Sequence, residues 1–284
     1  MPSPDISLAI FKLLRATFFD KNLRPVPFSL RPKAYVQSDP LDEYIFELLK
    51  SNLPYQCSKG SPLVSPDMVI YEKNISLKDN LNISKILGIE VKKLMRTNRM
   101  IARQSGLDYN STPPCGKIRV YLQNNSAIDI RSFYIFVCQE QIEDRYILSS
   151  LVICDGNSIN MDFDLYLKAV ETRGKLIDLG TYADGMNRVR PMFVFPNPLG
   201  LNELDHAVSL IHENENLDQI DPDLKKIYKL NRNTQGKTNQ FSIYRLKDDV
   251  SPDTFIEEIN GYKVPYNRRT ETQSRGKFKL PFLL

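Results

Sequence analysis

The chain has 284 residues, 42% of them hydrophobic and 25% charged, which is enough for one large globular domain or two small ones. A formal net charge of +4 permits a nucleic-acid partner without requiring one. No apolar run reaches the roughly 18 to 20 residues of a membrane span, the N-terminus lacks the basic start of a signal peptide, and Cys57, Cys115, Cys138 and Cys154 form no CxxC pair of the kind a zinc ribbon needs.

In chain order, apolar residues at helical spacing predict a first helix over 6–19, and three prolines mark 22–38 as a connecting segment. Asp39 is a good cap, Pro40 suits the first helical position and Asp42 a capping-box acid, so a second helix runs to about Lys50. Residues 65–71 read as a short strand opened by a proline, and 86–94 as a second strand. Further strands are expected over 117–122, 128–138 and 146–154, a helix starting at 163–170, a short buried strand at 192–195 and an amphipathic helix over 203–213. From 231 the chain is polar and basic, broken by short apolar groups such as 241–244. This order predicts an α/β (α+β) fold with a central mixed sheet flanked by helices. A single domain over 1–284 is expected, with a core at about 39–200 and a C-terminal elaboration at about 201–284.

Alternation along 86–94 puts Glu90 and Lys92 on one face, with Val91 turned the other way into the core. Two charges on an otherwise apolar strand are costly to bury without a metal, a counter-charge or a substrate. Asp67 opens the preceding strand, so a hairpin-like pairing would bring all three side chains together. Two carboxylates can hold a hard cation such as Mg²⁺, with the Val91 carbonyl as a further oxygen. Such an ion would polarise a phosphate and acidify a water, which Lys92 would orient or whose developing charge it would stabilise. The competing reading is a solvated strand face on which Glu90 and Lys92 simply pair with each other.

Pro66-Asp67 followed by Glu90-Val91-Lys92, with 22 residues between Asp67 and Glu90, resembles the PD-(D/E)xK nuclease motif. The resemblance covers about 39–95 by motif and extends to 155 by element order. It implies a mixed sheet flanked by helices, Mg²⁺ dependence and hydrolysis of DNA, with Asp67, Glu90 and Lys92 catalytic. In that superfamily an acid on the preceding helix often joins the site; Glu43 is the nearest match, and Asp42 and Glu47 compete with it. With no helicase, methyltransferase or ligase segment, the chain is most similar to a Type II restriction endonuclease. That implies sequence-specific double-strand cleavage by a homodimer on a palindromic site, each protomer cutting one strand. The alternatives are a nuclease of the same fold serving repair, transposition or junction resolution, and a non-catalytic DNA-binding or assembly protein.

Lys93, Arg96, Arg99 and Arg103 follow the catalytic strand, and the three arginines share one face if the segment is helical. Either DNA contact or a solvated basic face fits them. Gln104, Asp108, Asn110 and Ser111 lie in a polar stretch suited to base-edge contact, as do Asn187, Arg188 and Arg190 in a second one. Residues 231–237 and Arg268, Arg269, Arg275 and Lys277 read as phosphate contacts or a mobile tail. Gly236-Lys237-Thr238 is no P-loop, because Asn231 stands where its first glycine belongs, so no nucleotide cofactor is expected. His206 and His212 lack an HExxH frame. Asp155, Asp162 and Asp164 read as turn and cap residues. The partner expected is double-stranded DNA, the location cytoplasmic, and no membrane is involved.

Overall fold

The computed structural model describes residues 5–33, 39–61, 66–73, 83–96, 102–103, 109–110, 116–159, 188–194, 198–234, 237–260, 268–273 and 279–280. The expected helix at 163–170 lies outside them, as do Cys115, Arg99, Gln104, Asp108, Ser111 and Asn187.

Among the described residues the chain builds one mixed eleven-stranded sheet. Its main path runs β1 (Gln56–Lys59), β2 (Met68–Tyr71), β3 (Ile86–Arg96), β7 (Ala127–Ile142), β8 (Arg145–Asp155), β10 (Val208–His212), β12 (Lys237–Leu246), β11 (Leu224–Thr234) and β13 (Glu257–Asn260). The short β4 (Ala102–Arg103) adds to β3, and β6 (Lys117–Tyr121) to β7. The central mixed sheet expected from the sequence is therefore present. A separate three-stranded sheet joins β5 (Tyr109–Asn110), β9 (Arg188–Val194) and β14 (Arg268–Gln273).

The sheet is buried on both faces, which is why its central strands read as near-continuous apolar runs. Tyr134, Phe136 and Cys138 of β7 point into one core with Ile86 and Leu94 of β3. Phe133, Ile135 and Val137 point into the other with Leu87, Ile89 and Val91. Helices α1 (Ile6–Phe18) and α2 (Pro40–Asn52) cover that second face, burying Ile10, Phe11, Leu14, Leu41, Ile45 and Leu49 completely. Both helices are capped, the second as the sequence predicts. The Asp5 carboxylate accepts the Ser7 N–H at 2.8 Å, and that of Asp39 accepts the Leu41 N–H at 2.9 Å.

The N-terminus of α1 is also sewn to the sheet by a polar cluster. Asp5 Oδ2 lies 3.1 Å from His212 Nε2, and Arg131 reaches Asp155 at 2.6 Å and Glu213 at 3.0 Å. Asp155 does accept the Asn157 N–H at 2.9 Å, as a turn residue should, but its other oxygen holds Arg131. Cys57, Cys138 and Cys154 are free thiols, the last two buried.

Two sequence expectations fail in the C-terminal third. The window at 203–213 is not a helix: Val208–His212 forms β10, parallel to β8 and antiparallel to β12. Its five residues are all buried because both faces are covered, and the helical spacing of Leu204, Ala207, Val208 and Ile211 yields to strand pairing on both sides. His206, at φ 51°, turns the chain just before it. The stretch beginning at 231 is not a tail either. It belongs to the β11–β12 hairpin, whose register closes Thr234 on Lys237 and buries Phe241, Ile243 and Tyr244. One sheet thus includes strands on both sides of residue 201.

Candidate active site

Strands β2 and β3 pair antiparallel, with Met68 opposite Ile89 and Tyr71 opposite Ile86. One step beyond the Met68–Ile89 pair, the same register sets Asp67 opposite Glu90. Pro66 packs against Gly88, where a Cβ would meet the proline ring at 3.4 Å, so the proline that opens β2 also seats the acid after it. Asp67 Oδ2 then accepts the Val91 N–H at 2.7 Å. Glu90 and Lys92, two residues apart on one face, are both buried and joined by a 3.0 Å ion pair. The Lys92 ammonium also stands 5.9 Å from the centre of the Tyr134 ring, which the parallel β3–β7 register places beside Glu90. Val91 buries its side chain in the opposite core and turns only its backbone toward the acids.

Electrostatically the site is short of positive charge. Desolvation, then Glu90 and Asp42, push the Asp67 carboxyl well above its ordinary value, against the pull of Lys92 and the Val91 N–H. Desolvation, then Asp39, push the Asp42 carboxyl up to about 7, although Lys92 and Lys93 oppose the rise. Asp42 and Asp67 each feel the other acids, so α2 contributes to the set through Asp42.

Glu43 does not join. It pairs with Lys59 of β1, because the next residue on a helix points about 100° around the axis. Glu47 is exposed on the same helix. Lys93 alternates to the other side of β3 and ties the Asp39 carboxylate, the cap of α2, to that strand. The expectation of a DNA contact there gives way to a tether that holds the helix carrying Asp42.

Arg96 is corrected more sharply. It ends a strand rather than starting a helix, and Arg103 lies in β4, paired across from Met95, so no helical face gathers the two. The Arg96 side chain, only 5% exposed, forks onto Asp205 with two 2.8 Å bonds and reaches Glu140 at 3.0 Å. Of the other predicted DNA contacts, Asn110 lies in β5 and Arg188 and Arg190 in β9.

The donor set suits a hard divalent cation. Asp67 and Glu90 supply carboxylate oxygens, and the crowding that raises Asp67 is what a dication would relieve. Among the described residues no three His, Cys, Asp or Glu side chains stand in metal-binding geometry, so any such ion would rest on the two acids, the Val91 carbonyl and water.

A pH dependence follows for the metal-free protein. Unfolded, Asp42 ionises near 3.8; folded, it keeps its proton to about 7. The folded state binds more protons between those values, so stability falls as pH rises from 4 to 7 and levels off above. Asp67 acts with the same sign. Asp5 does not interfere: against desolvation, His212, Ser7 and Arg131 hold it below its ordinary value of 3.8, so it acts only at more acid pH. Urea unfolding in chelator should show a loss on the order of 2 kcal/mol across this range, allowing for screening at a half-buried group, and Asp42→Asn should remove much of it. An equal slope in parent and variant would place the charge crowding elsewhere.

Sequence reasoning missed the Asp39–Lys93 tether and the place of Tyr134, since both depend on which strand neighbours β3. Comparison of the chain with protein-family models, with curated proteins and with solved structures gives no match. No helix among the described residues is long and apolar enough to cross a membrane.

Proposed function

We propose that this chain is a Mg²⁺-dependent DNA endonuclease of the PD-(D/E)xK type, and specifically a Type II restriction endonuclease acting as a cytoplasmic homodimer on double-stranded DNA. One observation carries the reading. Asp67, Glu90 and Lys92 meet where β2 begins and β3 runs on, with Asp67 bonded to the backbone of Val91 and Lys92 to Glu90. A solvated strand face in which Glu90 and Lys92 merely pair accounts poorly for this. Both residues are buried, and a third acid is held against them at a desolvation cost that binding alone does not require.

In this reading Asp67 and Glu90 hold the ion, and the Val91 N–H keeps the Asp67 carboxylate in one orientation. Bound Mg²⁺ supplies polarisation of the scissile phosphate and a lowered pKa for water. Lys92, its ammonium fixed by Glu90, orients the attacking water and offsets negative charge as it develops on the phosphate. Asp42 raises the negative potential that draws the cation in.

The test is incubation of the purified protein with a long, fully sequenced DNA and Mg²⁺, with the products resolved on a gel. Discrete bands are expected, and their ends give the site and stagger. A smear would favour the alternative of a nuclease for repair, transposition or junction resolution. Uncut DNA across several metals would remove the enzyme reading.

A further inference from the structure

At the corner of the main sheet farthest from β1, the β11–β12 hairpin runs on past β10, which pairs with β12 only from Ser242 to Tyr244. Strand β13 lies along the other side of β11, parallel to it. The register sets Lys229 beside Ser242 and Glu258, and Asn231 beside Gln240 and Asn260. Paired residues share a face and successive residues alternate. One face of this corner packs: Leu230, Phe241 and Ile259, in register with one another, are buried in the core. The other face is polar at every position from Lys229 to Asn231 and at their partners. Gln240, Glu258 and Asn260 are exposed on it, and Lys229 and Asn231 half-buried. Its side chains form a ladder across the three strands. Gln240 Nε2 donates to Asn231 Oδ1 at 3.0 Å, and Asn231 Nδ2 donates to Glu258 Oε2 at 3.4 Å.

We propose that this ladder reads base edges in the major groove of duplex DNA, with Gln240 as its adenine reader. The inference rests on the reading of the chain as a DNA endonuclease and assigns part of its sequence readout.

Three lines of argument support it. The first is chemical. Asparagine is depleted from strands, and a face that met only water would be filled more readily by threonine, yet Asn231 and Asn260 both stand in paired strands here. Gln240 gives one N–H to Asn231, which Glu258 holds in turn, so its carboxamide is oriented before any ligand arrives. It keeps a second N–H and its oxygen, the pair that adenine takes through N7 and N6. A face without apolar side chains also lacks the core that a protein partner would pack against. The second is metrical. Three neighbouring strands put Gln240, Asn231 and Asn260 within about 10 Å, inside a groove about 12 Å wide. The third is reach. One line of register joins Glu90, Tyr134, Cys154, Ile211 and Ile243 across four strand spacings, about 19 Å, and Gln240 lies three residues along β12 from Ile243, about 10 Å. The two sites are thus roughly six base-pair rises of about 3.4 Å apart, which one duplex spans. The ladder is on the face that α1 and α2 cover farther along the sheet. A twist of about 20° per strand turns that face roughly a quarter-turn by β12, so it does not look directly away from Glu90.

The test selects from a pool of short duplexes randomised at their centres, with Ca²⁺ in place of Mg²⁺ and the full chain as bait. The parent should enrich one motif. Gln240→Ala, a neutral change at an exposed position, should relax that motif at a single adenine, with a loss of preference there of roughly 10-fold or more. Its affinity for the unselected pool and the salt dependence of that affinity should match the parent's, because the amide contacts no phosphate. Gln219→Ala, which removes an exposed amide outside the ladder, should enrich the parental motif. If Gln240→Ala selects the unaltered motif, the ladder does not read DNA, while the nuclease assignment stands on its cleavage assay. An unaltered motif together with a change of oligomeric state in sedimentation would make this face a contact between copies of the chain, which also overturns the reader. So would a uniform loss of affinity across the pool, the mark of a structural role, or a parent that binds duplex without enriching any motif. A parent that neither binds nor cuts overturns both readings.

Discussion

Asp67→Asn should leave the protein unable to cut DNA and, in the absence of metal, more stable than the parent. The two effects have one cause. Asp67 is crowded by Glu90 and Asp42 in a desolvated place, so holding it ionised destabilises the metal-free fold. Asparagine keeps the shape and an oxygen for the Val91 N–H but removes the charge. Cleavage should drop on the order of 10³-fold or more, because the ion and the phosphate charge lose their anchor. DNA binding should remain, and the metal-free melting temperature should rise by a few degrees. Glu90→Gln should behave alike in cleavage. A variant that still cuts normally in Mg²⁺ would remove Asp67 from the site. One that loses activity together with metal-free stability would show a structural acid rather than a crowded functional one.

Arg96→Ala should cost about 3 kcal/mol or more in folding while leaving the cleavage of DNA intact at temperatures where the variant is folded. The guanidinium is buried between β3, the Glu140 end of β7 and the Asp205 turn before β10. It bonds both oxygens of Asp205, while Ser150 donates to the same carboxylate at 2.7 Å. Removing one member of such a network strands the other charges, which is why breaking a buried pair costs far more than the pair contributes. Urea unfolding measures the first effect, and cleavage at low temperature the second. A stable variant with weakened DNA binding would instead support the contact expected from the arginine spacing.

The meeting of Asp67, Glu90 and Lys92 was legible because it rests on short-range rules. A proline can open a strand, alternation puts residues two apart on one face, and an acid starting one strand meets the next if the two pair antiparallel. Pro66, Asp67, Glu90 and Lys92 obey all three. The capped start of α2 was legible for the same reason, since Asp39 bonds to the residue two positions on; the Asp5 cap of α1 was not read from the sequence. The choice among Asp42, Glu43 and Glu47 was not, because it depends on how α2 is rotated against the sheet. Lys59 and Lys93, from two different strands, take part in that rotation.

The errors share a physical origin. Residues 203–213 read as a helix because Leu204, Ala207, Val208 and Ile211 fall at helical spacing, and only pairing with β8 and β12 makes Val208–His212 a strand. The residues from 231 onward looked like a basic tail because their polar side chains outnumber the apolar ones. Their strand character comes from pairing across the β11–β12 register. Arg96 looked like a DNA contact because its partners, Glu140 and Asp205, lie 44 and 109 residues away.

By itself, then, the sequence determined what local geometry and composition can carry: the mixed α/β character, the first two helices with the cap of the second, the central strands and the Asp67–Glu90–Lys92 alignment. Tertiary structure alone decided which acid of α2 faces the site, that Lys93 and Arg96 serve the fold, and that three distant polar segments meet in one small sheet. Those outcomes follow from strand neighbours and helix rotation, which are set by burial summed over the whole core and by no short stretch of residues.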